Sequence, residues 1–588
     1  MITIIQPILV PDIAICDIAD LYVRNIGDYK IDEEHFLIQK DSKLSFDTYF
    51  NMLSIGKWYQ YTNIDRVGLK VNLRGRANLS CFQLGIGDDG EVKRKLVSNQ
   101  TIENSSDVII WYPSEFRDGI LIFEIEALSE VVDAFDMGYV AITEKHPKDL
   151  QLAIGICTYK REEDVTNNVR NILNDVILDP TSLLYGRIQV YIADNGQTLF
   201  NDAFDNENIH LYPNPNFGGA GGFTRTIIEA VYTSAQNPDY IILMDDDILL
   251  DTRILDRTYR LLLMLKEDYS QSMIGGALLN REQPNTQGES GCNFDAKCNY
   301  RKINANLDLR LVNEIVRNTK ETNANYNGWF YCCIPQCVIK QQGLPLPIFI
   351  HYDDAEYGTR FPSKLITMPG ISVWHPMIKG KDPLWMTYYN KRNLWIIKSV
   401  RQVNVAMKDI IYDAVKVFLI GICRYRYSYT LLGLMSIKDF YSGPDCFVAL
   451  NPLELQKDLS SKWNYQWVHL PEIPAIIQET KQSMFYVRGI LNYLFPAIRK
   501  EQYVSKLIDN YDNLLVKRVW VVDTDSQKAY CLDKSYNKAW TCFISLLSTI
   551  FYIIRRHNKV WIRWNRAYDE LISLSFWKKY LMINNNLW

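Results

Sequence analysis

Along the chain, the alternation of apolar and polar positions changes character twice. Up to about residue 145 the pattern has a period of two. Val67-Gly68-Leu69-Lys70-Val71-Asn72-Leu73 alternates, and so do parts of Gly119 to Glu126. That texture predicts a β-rich unit of the sandwich or jelly-roll kind. It breaks at His146-Pro147-Lys148. Apolar runs of strand length then alternate with helical stretches: Leu152 to Cys157, a helix from Glu163 to Leu173, Ile188 to Ala193, a helix after the glycines at 218–222, and Tyr240 to Met244. This βαβαβ rhythm predicts a mostly parallel, doubly wound α/β sheet. Beyond about residue 400 a helical period takes over, with Ile410, Ile411, Ala414, Val415, Phe418 and Leu419 on one face. The expected division is 1–146 β-sandwich, 147–400 Rossmann-like sheet domain and 401–588 helical domain.

Composition narrows this picture. At 588 residues the chain exceeds a single core, and ~150 residues per domain implies three or four units. Apolar residues make up 47% and charged residues 22%, which fits a globular protein. A net charge of −4 argues against nucleic acid as a partner. The 12 cysteines are scattered without a C-x-x-C pair, which suits buried reduced thiols and a cytoplasmic setting. Met1 to Pro7 has neither a basic nor a long apolar region, so no signal peptide is expected. The uncharged stretch Ala539 to Ile554 is shorter than the ~20 residues of a spanning helix and is expected to be buried or interfacial. Trp561, Arg563, Trp564 and Arg566, with Phe576, Trp577, Lys578 and Lys579, suggest either a peripheral membrane-facing surface or helices packed in a bundle or against another subunit.

Candidate chemistry gathers where apolar runs end. Asp245-Asp246-Asp247 follows Tyr240 to Met244. Ligands of open α/β sheets collect beyond the carboxyl ends of strands. Adjacent carboxylates repel, so a cation between them is expected, and a hard divalent ion with oxygen ligands also holds phosphates. An acidic turn capping the next helix is the alternative. Cys157-Thr158-Tyr159-Lys160-Arg161 ends the first run and offers a hydroxyl and cations to a nucleotide. Asp194-Asn195-Gly196 ends the second, as an acceptor for a base or ribose or simply as a tight turn. Asn216-Phe217-Gly218-Gly219-Ala220-Gly221-Gly222 precedes a helix and lets the backbone approach a diphosphate. It is neither a Walker loop nor a dinucleotide fingerprint. A second acidic cluster, Asp353-Asp354-Ala355-Glu356, follows Ile348 to Ile350 and offers a general base or helix caps. His375 in Val373-Trp374-His375-Pro376, one of 7 histidines, is a candidate further metal ligand, and an imidazole suits manganese better than magnesium.

Taken in order, these motifs resemble the bacterial galactofuranosyltransferases, inverting metal-dependent glycosyltransferases with the GT-A nucleotide-sugar fold. The resemblance rests on Cys157 to Arg161, Asn216 to Phe223, Met244 to Ile248, Tyr326-Asn327-Gly328-Trp329, and Tyr352 to Gly358 with Trp374-His375. It implies that Thr158, Arg161, Asp194, Asn216, Gly218, Gly219 and Asp246 serve the uridine diphosphate. Asp245, Asp247 and His375 would hold Mn²⁺ or Mg²⁺. Asp354 would be the general base, with Trp329, Tyr352 and Asp353 around the sugars. Tyr352, Phe330 and Lys160 depart from the family's Trp, Trp and Asn, which leaves donor sugar and acceptor least determined. The implied reaction moves a sugar from a UDP-sugar to a glycan hydroxyl. The acceptor would be lipid-linked, at the cytoplasmic membrane face, and a homo-oligomer is compatible. Two rivals are a metal-dependent nucleotidyltransferase and an inactive carbohydrate-binding scaffold.

Overall fold

A computed structural model describes the chain except residues 88, 144–148, 201–203, 378–382, 404, 472–475, 477–484, 507–510, 512 and 584–588. The boundary expected at 146/147 lies outside the described residues. The structure is mixed α/β, with two nine-stranded sheets, a two-stranded ribbon and a four-stranded sheet among the described residues.

The first sheet runs from Ile2 to Ile142 and is antiparallel at every ladder. Its axis is the 21-residue strand Arg66–Ile86. The first part of that strand pairs with Val131–Ile142, the last part with Ile120–Ala127, and nearly all of it with Val92–Trp111. Burial alternates with sequence from Ala77 to Cys81, whereas Val67 to Leu73 is buried at every position but Lys70, and Ile120 to Ile125 throughout.

The second sheet carries the strand-end motifs. Its order is Ile209–Pro213, Ile188–Asp194, Leu152–Thr158, Tyr240–Asp245, Cys332–Pro335, Ile274–Asn280, Thr286–Glu289 and Leu307–Asp308, with Ile366–His375 also on Ile274–Asn280. The first four strands are parallel, and antiparallel pairing begins at Cys332–Pro335. The expectation of a mostly parallel sheet therefore holds for this first half and for the parallel ladder of Ile274–Asn280 with Ile366–His375, while the other ladders of the second half are antiparallel. The chain enters at Leu152–Thr158, builds outward on one side and then returns to the other at Tyr240–Asp245. Strand order thus reverses beside Thr158 and Asp245, where open α/β sheets take ligands. Tyr240–Met244 is wholly buried, as expected of a strand covered on both faces.

Three arginines of helix Arg253–Met264 join the two sheets. Arg253, Arg257 and Arg260 donate to the carbonyls of Val10 at 3.0 Å, Pro7 at 3.1 Å and Ile4 at 2.6 Å. Beyond residue 385 the chain is largely helical, but it also contains the four-stranded sheet formed by Val468–His469, Arg499–Ser505, Val516–Asp523 and Lys528–Asp533, which the helical expectation overlooked. Ala539 to Ile554 is not a short element. It belongs to a 36-residue helix, Tyr536–Leu571, the one described helix long and apolar enough by length and composition to cross a membrane. Of the two readings given above for Trp564 and Trp577, a membrane-facing surface or packed helices, the packed one holds, and both are core residues. Their indoles donate to Phe440 O at 3.1 Å and Pro345 O at 2.8 Å.

The short helix Asp353–Gly358 is fastened from below. Glu356 and Arg360 form a buried ion pair, and Arg360 also donates to Leu344 O at 2.8 Å. Removing one partner of such a pair strands a buried charge. Arg360→Met is expected to cost about 3–5 kcal/mol in urea unfolding, and Glu356→Leu in the same chain is expected to restore most of it. Equal stability of the single and double variants would contradict this account.

Candidate active site

The strand ends build the site. Asp245 is the last residue of Tyr240–Asp245, and Asp246 and Asp247 follow in the turn. His375 is the last residue of Ile366–His375. What brings them together is a pair of short ladders: Asn280 pairs with His375, and Leu249 exchanges hydrogen bonds with Trp374. One ligand atom from each of Asp245, Asp247 and His375 then lies within 4.8 Å of the others.

The imidazole is oriented. Its Nδ1 donates to Pro376 O at 2.7 Å, which leaves Nε2 facing Asp247 Oδ1 at 3.2 Å and Asp245 Oδ2 at 3.7 Å. Asp247 Oδ1 is buried and makes no well-aligned hydrogen bond. A nitrogen lone pair and two carboxylates facing one another require a positive species, either a proton or a metal ion. Titration follows that geometry. Burial first, and the neighbouring acids against the pull of His375, push Asp245 up to about 7. Burial alone would depress His375, but Asp247 and Asp245 outweigh it and raise the imidazole. Burial would raise Asp247, but His375 and Arg161 outweigh that and lower it.

Asp245 and Asp246 also line a cavity of about 550 Å³, together with Arg161, Asn216, Trp329, Asp353 and Asp354. Gly218 and Gly219 complete the floor. Arg161 is committed to the acidic turn, with Nη1 at 2.9 Å from Asp246 and 2.7 Å from Asp247. Asn168 secures the same turn through the carbonyls of Asp246 and Ile248. Thr158 is buried at its strand end and does not line the cavity. Asp194 also lies outside the lining, and its oxygens accept from the amides of Gly196, Thr198 and Leu199. Its carboxylate holds its own turn. Tyr352 is not in the lining either; its ring packs 6.0 Å from that of Phe294.

The glycine run is helix rather than loop. The helix begins at Gly218 and extends to Ile227. A Cβ on Gly222 would lie 2.1 Å from Cys157 Sγ, and one on Gly219 would lie 3.0 Å from Asp353 Oδ2. These glycines allow the helix to press against the strand and against the second acidic cluster. Asp353 takes a hydrogen bond from the Ala220 amide in that helix's first turn. Burial holds Asp353 up at about 6 against these amides. Asp354 is raised much further, by burial and then by Asp353, Glu289 and Asp245.

Sequence motifs did not single out the groups that aim these acids. Ile350, His351 and Tyr352 are all left-handed, with φ of 53°, 68° and 71°. Three such residues in succession store backbone strain. Asn393, fully buried on helix Met386–Val400, donates to Phe349 O, Ile350 O and His351 O at 3.1, 2.8 and 3.3 Å and holds the turn. Glu289 lies in a short strand, and Gln456 lines the cavity from helix Pro452–Lys462. Only tertiary structure assigns these residues to the site. The run of acids could have suggested a helper such as Glu289, but nothing in the sequence marked Asn393.

Comparison with known proteins agrees with the motif reading. Residues 5–138 match the family described as Galactofuranosyltransferase 2 N-terminal. Galactofuranosyltransferase GlfT2 of Mycolicibacterium smegmatis is 26% identical over 438 residues, covering 69% of this chain and 65% of that protein. Its counterpart from Mycobacterium tuberculosis is 26% identical over 458 residues, covering 69% and 66%. The chain therefore spans a little under two thirds of the length of these curated relatives. A mannosyltransferase of Pyrobaculum calidifontis overlaps at 10% identity over 54% of this chain and 87% of its own, with a TM-score of 0.28, too low to carry weight. The resemblance to galactofuranosyltransferases, read from five motifs, is borne out.

A divalent ion held by Asp245, Asp247 and His375 would have to displace a proton from this site. Asp245 loses its proton as pH rises through about 7, and the neighbouring carboxylates make the His375 imidazole hold its proton more firmly, so affinity for a divalent ion is expected to rise with pH. Calorimetry with Mn²⁺ at about pH 6 and about pH 8 is expected to show up to about tenfold gain per pH unit for each proton displaced. Affinity independent of pH would remove both Asp245 and His375 from the ligand set.

Proposed function

We propose that the chain is a metal-dependent, inverting glycosyltransferase of GT-A type that transfers galactofuranose from a UDP-sugar to a hydroxyl of a lipid-linked glycan. The proposed units are a β-sandwich at 1–146, the transferase at 147–400 and a C-terminal region from 401. The observation that supports this best is the joining of a metal-ligand set, Asp245, Asp247 and His375, to a cavity that also holds Asp353 and Asp354. A nucleotide-sugar transferase needs both a clamp for diphosphate and a base for the acceptor.

In this reading Asp245, Asp247 and His375 hold Mn²⁺ or Mg²⁺, and the mixed oxygen and nitrogen donors favour Mn²⁺. The ion supplies Lewis-acid neutralisation of the departing diphosphate. Arg161 and the backbone around Asn216, Gly218 and Gly219 border the nucleotide, and Trp329 offers an apolar wall to the sugar. Asp354 accepts the proton of the attacking hydroxyl. Burial first, and then the surrounding carboxylates, raise its pKa, and positive charge on Asp245, one of those carboxylates, would lower it. Attack from the face opposite the leaving group inverts the anomeric carbon.

Asp354→Asn is expected to keep Mn²⁺-dependent UDP binding and to lower transfer by about a hundred- to ten-thousandfold, the usual contribution of a general base. Turnover near that of the unaltered chain would refute the base assignment. The same assay decides the reaction class: free UDP accompanies sugar transfer, whereas pyrophosphate would indicate a nucleotidyltransferase. A panel of UDP-sugars tests the donor.

For the acceptor, the long C-terminal helix is informative. Trp540, Ile544, Leu547, Phe551 and Ile554 fall on one stripe and are each more than half exposed. Val487 and Leu494 of helix Phe485–Leu494 are exposed nearby, where Tyr493 meets Tyr536 edge-on at 5.7 Å. Lys538, Arg555, Arg556 and Lys559 accompany the stripe. An apolar face accompanied by cations is the pattern of a helix lying in an anionic lipid interface. Sedimentation with vesicles containing anionic lipid is expected to capture the protein, and Trp540→Ser with Phe551→Ser is expected to release it while turnover of a soluble acceptor is unchanged. Retention of the double variant on vesicles would overturn the lipid contact. A change in oligomeric size instead would identify a second copy as the cover.

A further inference from the structure

A second cleft, of about 610 Å³, opens among the C-terminal elements, away from the metal-ligand set. We propose that it is a saccharide-binding subsite that holds a part of the acceptor glycan remote from the reacting end. This rests on the transferase reading and adds to it a binding site of a stated chemical class.

The lining has the chemistry that sugars need. Tyr427, Trp463, Tyr465 and Trp520 supply aromatic surface. Tyr465 is held flat against Tyr530, with ring centroids 3.8 Å apart and planes within 9°, and Trp467 abuts Tyr530 edge-on at 4.8 Å. Braced rings present faces without losing further side-chain freedom on binding. Among them stand Asn464 and Gln466, both exposed, and Arg426, Ser428 and Asp533. Amides, which both donate and accept, match hydroxyls that do the same. A prenyl or acyl chain would desolvate these amides and the guanidinium without pairing them. A cleft of this size is in the range of small-ligand sites, about 300–1,000 Å³.

The placement is what ties the cleft to the reaction. Helix Pro452–Lys462 runs from one cavity to the other. Gln456 on its second turn lines the active-site cavity, while Trp463 and Asn464, just past its end, line the second cleft. Seven residues of helix advance about 10 Å, within the span of a few linked sugars. One apolar cluster underlies both walls. It contains Phe349 and Leu459, and Ile350, Leu455, Trp463 and Tyr465 pack against it. Phe349 and Ile350 border the active-site cavity. A glycan whose end lies by Asp354 would pass Gln456 to reach the aromatic cleft. On the far wall, Lys538 and Thr541 belong to the first turns of the helix that carries the apolar stripe.

Two exposed residues give a test with little risk to folding. Asn464→Ala with Gln466→Ala, and separately Trp520→Ala with Trp520→Phe as its conservative counterpart, are compared with the unaltered full chain. The probes are a galactofuranose octasaccharide and the corresponding disaccharide, the second too short to reach the cleft from the active site. By calorimetry the unaltered chain is expected to bind the octasaccharide more tightly than the disaccharide. The Asn464/Gln466 variant and Trp520→Ala are expected to lose at least about fivefold in octasaccharide affinity, and Trp520→Phe less. In transfer assays KM for the octasaccharide is expected to rise by the same factor, with kcat and all disaccharide constants unchanged. Octasaccharide binding equal to that of the unaltered chain in the Asn464/Gln466 variant, or an equal loss for both probes, overturns the proposal. If Trp520→Ala alone unfolds early in a thermal melt, the Asn464/Gln466 variant decides. Octasaccharide binding through the cleft without any turnover of nucleotide sugar would refute the transferase reading and support the cleft. Turnover with unaffected cleft variants would refute the cleft alone.

Discussion

Crowded negative charge organises this protein. The end of one strand and the head of one short helix deliver Asp245, Asp246, Asp247, Asp353 and Asp354 to one region, and Glu289 adds to the charge around Asp354. Left to themselves these groups repel, and burial sharpens the repulsion. The structure meets part of it with Arg161 on Asp246 and Asp247 and with the Ala220 amide on Asp353. Part remains, between Asp245, Asp247 and the bare nitrogen of His375. A divalent cation bound as proposed above would relieve this remaining repulsion.

The rest of the architecture makes that arrangement tolerable. Glycines at 219 and 222 let a helix approach both a strand and an acid closely. A left-handed turn at 350–352 aims the second acidic pair, and a single buried amide, Asn393, satisfies its three carbonyls. Glu356 and Arg360 anchor the following helix from within the core. Even the end of the described chain contributes: Tyr580 packs 4.6 Å from Phe217 at the head of the glycine helix.

The C-terminal region places two surfaces of different character beside each other, both proposed above as recognition surfaces. A cleft of braced aromatic rings and amides lies one short helix from the active cavity, and an exposed apolar stripe begins where the cleft ends. A substrate with a polar chain and an apolar anchor would engage both, with its reactive end reaching past the cleft toward the active cavity.

Much of this was legible in the sequence, because a strand or a glycine-rich turn announces itself locally. Leu152–Thr158, Ile188–Asp194 and Tyr240–Asp245 follow from unbroken apolar runs, and their acidic ends follow from the residues that terminate them. The pairing of Asp247 with His375, more than a hundred positions apart, was suggested by family resemblance. Tertiary structure supplied its cause, the ladders at Asn280 and Leu249. Tertiary structure alone decided that Asp194 serves its own turn, that Trp564 and Trp577 belong to the core while Trp540 and Phe551 face outward, and that a four-stranded sheet interrupts the helices. Periodicity reports which residues share a face, but not which neighbour covers it. The roles of Asn393, Glu289 and Gln456 depend on contacts across long sequence separations, and no local pattern encodes these.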